Sequence, residues 1–226
     1  MPLRFSPRAV IFDIDGTLVD NMHLHAEAFA RFAERHGLPP ITKEDRARLD
    51  GRRNSEIFPI LFNREVPRDE WLAYEHEKEG LYRELSRGRL TPLSGLSRLL
   101  ALLEARAIPF GIATSAPAEN VPHTLRELGL LERLTRVVRS DEVPRGKPHP
   151  DVFLAAAAAI GRAPGECLAF EDAPMGVRAA KAAGMRVVAM TTSFTAAGFL
   201  EHGAAFDHAA GDFEEYLAGP GRFLLG

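Results

Sequence analysis

The sequence predicts an α/β protein: a doubly wound parallel sheet with an all-helical module inserted after the first strand. Three observations carry this. From about Arg89 onward, short apolar runs without polar alternation are separated by helical patterns. Runs of that kind are strands buried on both faces, as in a parallel sheet covered by crossover helices. Ala9 to Phe12, far upstream, has the same look, whereas residues 21 to 88 carry no strand signal.

In chain order, Ala9 to Phe12 is the first strand. His23 to His36 and Asp69 to Ser86 are long amphipathic stretches rich in Glu, Arg, His and aromatics; Pro39-Pro40 and Pro67 punctuate the region into about four helices. Trp71 and Tyr74 are spaced for one helix face and read as packing inside this module. Pro109 to Thr114 predicts a strand, and Ala118 to Leu128 a helix stopped by Gly129. Val137-Val138 is a short strand, and Pro150 to Ile160 a helix stopped by Gly161. Cys167 to Phe170 is a strand, Met175 to Ala183 a helix stopped by Gly184, and Arg186 to Met190 a strand. Glycine just past the last periodic residue is the expected helix stop. The domains are then residues 1–19 with 90–226, and the helical insertion 20–89. Joints near Val19-Asp20 and Arg89-Leu90 are where the insertion would open and close.

Composition narrows the function. The chain has 226 residues, 46% apolar and 26% charged, enough for one large or two modest domains with a real core. A net charge of −3 and the lack of a basic stripe argue against nucleic acid as a partner. The one cysteine, Cys167, cannot form an internal disulfide, so a reducing compartment is expected. The chain reaches Asp13 too soon for a signal peptide, and no apolar stretch approaches the roughly 18 residues of a membrane span. A soluble, cytoplasmic monomer is the expectation.

Open parallel sheets bind ligands beyond the carboxyl ends of their strands. The residues just past each apolar run are therefore informative. After the first come Asp13 and Asp15, in Asp13-Ile-Asp15-Gly16-Thr17; after the second, Thr114 and Ser115; after Cys167-Leu-Ala-Phe, Glu171 and Asp172. Lys147 stands before the helix at Pro150, in Gly146-Lys147-Pro148. Four carboxylates, two hydroxyls and an ammonium thus meet at one sheet edge. Converging carboxylates need a cation, and hard oxygen ligands favour magnesium. A phosphate joins them only when metal, lysine and donor groups offset its charge. One carboxylate can attack phosphorus, and another two residues along can carry the proton. Gly16 would let backbone amides approach the phosphate. Taken singly, each piece has a plainer reading: a turn, a helix cap, a solvated lysine. A calcium loop lacks its further ligands here, and a P-loop is excluded by Asp141 and Pro148.

The ordered set resembles the haloacid dehalogenase superfamily, in its phosphatase and β-phosphoglucomutase-like branch. The motifs are Asp13-Ile-Asp15-Gly-Thr-Leu, Ile112-Ala-Thr114-Ser115, Gly146-Lys147-Pro148 and Phe170-Glu171-Asp172-Ala-Pro-Met-Gly176. The resemblance implies a Rossmann-like core with a helical cap, a small phosphorylated metabolite as substrate, and Mg2+ as cofactor. It implies Asp13 as nucleophile and metal ligand, and Asp15 as acid/base with its carbonyl on the metal. Thr114 and Lys147 would hold the transferring phosphoryl group, and Asp172 and Glu171 the metal. Gly16, Thr17, Ser115, His25, Arg53 and Asn54 are the expected substrate contacts. His23 and His25, two apart, do not share a helix face. The second aspartate argues against carbon–halogen cleavage. Where sugar-phosphate mutases carry a lysine before Gly51 and an arginine after it, this chain has Asp50 and Asn54. A phosphatase is therefore expected ahead of a mutase, and both ahead of a binding module without catalysis.

Overall fold

The apolar runs become strands because each can bury both of its faces. The computed structural model describes residues 6–225. Strands β1 (Ala9–Phe12), β2 (Phe110–Thr114), β3 (Val137–Arg139), β4 (Cys167–Glu171), β5 (Arg186–Met190) and β6 (His208–Ala210) form one sheet, ordered β3-β2-β1-β4-β5-β6. Every pairing is parallel, with Phe12 in register with Ile112 on one side and Phe170 on the other.

The two faces of the sheet differ in residue size, and each has helices to match. Helices α1 (Met22–Arg35), α2 (Lys43–Leu49), α3 (Asn54–Phe62) and α4 (Arg68–Ser86) precede β2. Helices α5 (Leu96–Ala105), α6 (Asn120–Glu127), α7 (Asp151–Ala159), α8 (Pro174–Ala182), α9 (Ala196–Glu201) and α10 (Phe213–Ala218) belong with the sheet. Val10, Phe12, Leu168, Phe170 and Val188 pack with α5, α6 and α10 through Leu99, Leu125 and Phe213. Phe12 stacks on Phe170 with ring centroids 5.3 Å apart, and burying each such ring contributes about 1.5–3 kcal/mol. The opposite face is small: Ala9, Ala113, Ala169, Ala189 and Cys167 lie under α7, α8 and α9. With Ile11 and Val187, these small residues pack against alanines of α7 and α8.

Helices α1–α4 form the anticipated insertion between β1 and β2. Helix α1 packs along α4, and Phe32, Phe58, Phe62 and Tyr74 form an aromatic cluster between them. The chain enters and leaves the insertion side by side, with the Leu93 amide donating to Leu18 O at 2.9 Å and Val19 pairing with Pro92. Gly129, Gly161 and Gly184 end their helices with positive φ. The sequence reading missed α5, α9, β6 and α10. Among the described residues no helix is long and apolar enough to cross a membrane.

Candidate active site

The strand order reverses at β1, and the chemistry collects there. Asp13 follows β1, Thr114 closes β2, and Glu171 with Asp172 closes β4; Lys147 arrives on the loop after β3. Lys147 Nζ donates to Asp13 Oδ1 at 2.7 Å and to Glu171 Oε1 at 2.6 Å. Asp13, Glu171 and Asp172 each offer a buried carboxylate oxygen, all within 4.8 Å of one another. The Ala173 amide donates to Glu171 Oε2 at 2.6 Å, and Ser193 Oγ donates to Asp172 Oδ2. The Ala116 amide donates to Thr114 Oγ1 at 3.0 Å, orienting that buried hydroxyl.

Charge in this pocket is out of balance. Burial and the negative charge of Glu171 push Asp13 up to about 7, although Lys147 opposes the rise. Burial, with Glu171 and Asp13 beside it, holds Asp172 well above the ordinary carboxylate range. Burial alone would lower Lys147, but Asp13 and Glu171 outweigh it and hold the ammonium charged. Three carboxylates against one ammonium fit a hard divalent cation, which would supply the missing positive charge through oxygen ligation.

Two glycines make the cluster possible. Gly16 has φ +74°, and a Cβ there would lie 2.0 Å from Asp172 Oδ2. A Cβ on Gly176 would lie 1.6 Å from Glu171 Oε1. The Gly16 amide donates to Asn21 Oδ1 at 3.0 Å. The glycine makes room for a carboxylate.

Asp15 stands apart from the carboxylate cluster, so its side chain is not among the grouped ligands. Its Oδ1 accepts from Asn21 Nδ2 at 2.6 Å and lies 3.4 Å from His25 Nε2. Burial works against its charge, but His25 and Asn21, with Lys78 further off, hold it below the usual range. Asn21 Nδ2 also donates to Tyr82 Oη at 2.6 Å, so one fully buried amide joins Gly16, Asp15 and α4.

The other wall of the cavity comes from the insertion: His25 and Phe29 of α1, Arg46 of α2, Asp50 beyond it, and Lys78 and Glu79 of α4. Lys78 Nζ is 3.1 Å from His25 Nδ1, 2.9 Å from Glu79 Oε1, and 4.1 Å from the centre of the Phe29 ring. Arg46 Nη2 pairs with Asp50 Oδ1 at 2.6 Å. Of the expected substrate contacts, His25 is buried on this wall; His23, on another face of α1, is exposed. Asn54 lines the cavity, but its Nδ2 donates to Glu79 Oε1 at 2.8 Å. Ser115 Oγ donates to Gly51 O at 2.7 Å across the two modules. Thr17 is fully buried, and neither it, Gly16 nor Arg53 lines this cavity. Arg53 bonds instead to carbonyls of Val143 and Pro144.

Asn21, Arg46, Lys78, Glu79 and Ser193 escaped the sequence reading. Lys78 did leave a signal: it interrupts the apolar stripe Trp71, Tyr74, Leu81, Leu85 at helical spacing.

Comparison with known proteins places the chain in a family. The family model described as haloacid dehalogenase-like hydrolase matches residues 10–190. The chain is 32% identical to validoxylamine A 7'-phosphate phosphatase of Streptomyces hygroscopicus subsp. limoneus, covering 86% of this chain and 90% of that one. It is 35% identical to the β-phosphoglucomutase of Bacillus subtilis, covering 80% and 82%. Among solved structures, a family IA hydrolase from Entamoeba histolytica superposes with a TM-score of 0.83 at 28% identity, covering 96% of this chain and 99% of that one. With its motifs on neighbouring strand ends of such a sheet, the chain belongs to the haloacid dehalogenase-like hydrolases.

Proposed function

We propose that this protein is a magnesium-dependent phosphatase acting on a small phosphorylated sugar or polyol. The observation that carries the reading is the buried group of Asp13, Glu171 and Asp172, with carboxylate oxygens within 4.8 Å of one another and only the Lys147 ammonium, bonded to two of them, to offset their charge. Asp13, Glu171 and Asp172, with the Asp15 carbonyl, would hold magnesium, which screens the phosphate from these carboxylates.

The protein's own groups then have distinct tasks. An Asp13 oxygen attacks phosphorus, the bond from phosphorus to the sugar oxygen breaks, and Asp15 gives that oxygen the proton it took from water in the preceding turnover. Lys147 and Thr114 hold the phosphoryl oxygens throughout. In the second half, Asp15 takes a proton from water as the water oxygen bonds to phosphorus, and Asp13 leaves as a carboxylate. His25 and Asn21 favour the ionised Asp15 that this second half requires.

A mutase would use the same core but must grip a second phosphate on the cap wall. The pairing of Arg46 with Asp50 and of Lys78 with Glu79 supports hydrolysis instead, because these cations already face carboxylates. The test is incubation with β-glucose 1-phosphate, magnesium and a trace of glucose 1,6-bisphosphate. Release of inorganic phosphate is expected; rapid glucose 6-phosphate formation with little free phosphate would establish the mutase.

Metal removal provides a second test. Exhaustive chelation should abolish turnover, and magnesium should restore it, because substrate phosphate cannot enter a pocket already rich in carboxylates. Full activity of the metal-free protein would exclude the assigned ligand set.

A further inference from the structure

We propose that Arg53 is a positioning residue that pins the helical insertion to the loop carrying Lys147, and that residue 146 is glycine in order to admit it. Arg53 immediately precedes α3, with extended backbone (φ −74°, ψ 150°), and its side chain crosses to the sheet domain. There Nη2 donates to Val143 O at 3.0 Å and Nη1 to Pro144 O at 3.4 Å. A planar guanidinium suits two adjacent carbonyls, a geometry that a lysine ammonium does not reproduce.

Gly146 is the complementary half of this contact. A Cβ there would lie 2.7 Å from Arg53 Nε, 3.1 Å from Arg53 Cγ and 3.1 Å from Glu56 Oε1. Unlike Gly16, Gly146 does not have the left-handed backbone that favours glycine. Space for the arginine therefore accounts for the glycine. The next residue is Lys147, whose ammonium bridges Asp13 and Glu171. A second tie lies two residues before Arg53, where Ser115 Oγ donates to Gly51 O. Docking of segment 51–53 is thereby coupled to the placement of Lys147. The part Lys147 plays in phosphate binding rests on the function proposed above; the docking itself does not.

The test uses the whole chain and needs no activity. Trp71, the single tryptophan, lines the groove between insertion and sheet domain together with Arg53 and Pro117. Arg53→Met should raise acrylamide quenching of its fluorescence about twofold and speed exchange of the His149 amide, which donates to Gly146 O at 2.9 Å, about tenfold, the loss expected for bonds from a charged donor. Exchange in β4 and β5 should stay unchanged. Arg53→Lys should show both effects at reduced size, since an ammonium can bond one carbonyl but not both in the guanidinium's geometry. Gly146→Ala should reproduce them, and adding it to Arg53→Met should change little, since both break one contact. Unchanged quenching and exchange in Arg53→Met, or independent addition of the two substitutions, would overturn the inference.

Discussion

Replacing Asp13 by asparagine should lower phosphate release by about 10⁴-fold or more while the protein stays folded. The amide keeps the shape of the side chain but is a poor nucleophile toward phosphorus. The fold should tolerate the change because Asp13 is one of three buried carboxylates within 4.8 Å. Removing its charge relieves repulsion from Glu171 and Asp172, and leaves Lys147 on Glu171 at 2.6 Å. The thermal midpoint of the metal-free variant should therefore equal or exceed that of the wild type. Its rise on adding magnesium should be smaller, since one ligand charge is gone. Phosphate release at the wild-type rate would refute the assignment of the nucleophile. A large fall in the metal-free midpoint would refute the electrostatic account of the pocket.

The second large effect is expected from a single methyl group. Gly176→Ala puts a carbon 1.6 Å from Glu171 Oε1 and 2.0 Å from its Cδ. Glu171 is fully buried between Lys147 and the Ala173 amide, so it must leave them or α8 must shift. Either outcome breaks charge-assisted bonds, and stability should fall by about 2–4 kcal/mol despite the better helix propensity of alanine. Activity should fall at least about a hundredfold, in keeping with loss of a metal ligand's support. Gly80→Ala in α4 is the control. A Cβ there meets nothing within 4 Å, so the same substitution should stabilise by up to about 1 kcal/mol. Equal thermal midpoints for the two variants would show that the close approach at Gly176 is not what requires glycine.

The legible part of the fold was the part buried on both sides. β1, β2, β4 and β5 are apolar except at an end residue (Thr114, Glu171, Arg186), because sheet neighbours and helices enclose the rest, and a continuous run survives in the sequence. β6, His208–Ala210, is a half-buried edge strand of three residues and offers no run to find. Helices α9 and α10, six residues each, are too short for a clear period. The core of the site was legible for a different reason: Asp13, Thr114, Glu171 and Asp172 directly follow or close recognisable strands, and a parallel sheet brings those ends together. The insertion wall was hidden because its polar residues read as a solvated helix face. Lys78, on the apolar stripe, is 2% exposed; Glu79 beside it, with no such mark in the sequence, is 3% exposed. The resemblance implies Arg53 as a substrate contact; in the structure its guanidinium donates to the carbonyls of Val143 and Pro144.

The small-residue face of the sheet has a practical consequence. Cys167 lies there with no exposed surface, and burial pushes its thiol up to about 11. The lone native thiol is thus shielded from alkylating reagents while the protein is folded. Cysteines introduced at Ala73 on α4 and Ala158 on α7, both exposed, would then be the reactive pair. Spin labels or dyes at these two positions would measure the distance between the insertion and the sheet domain in solution, with the native cysteine left in place.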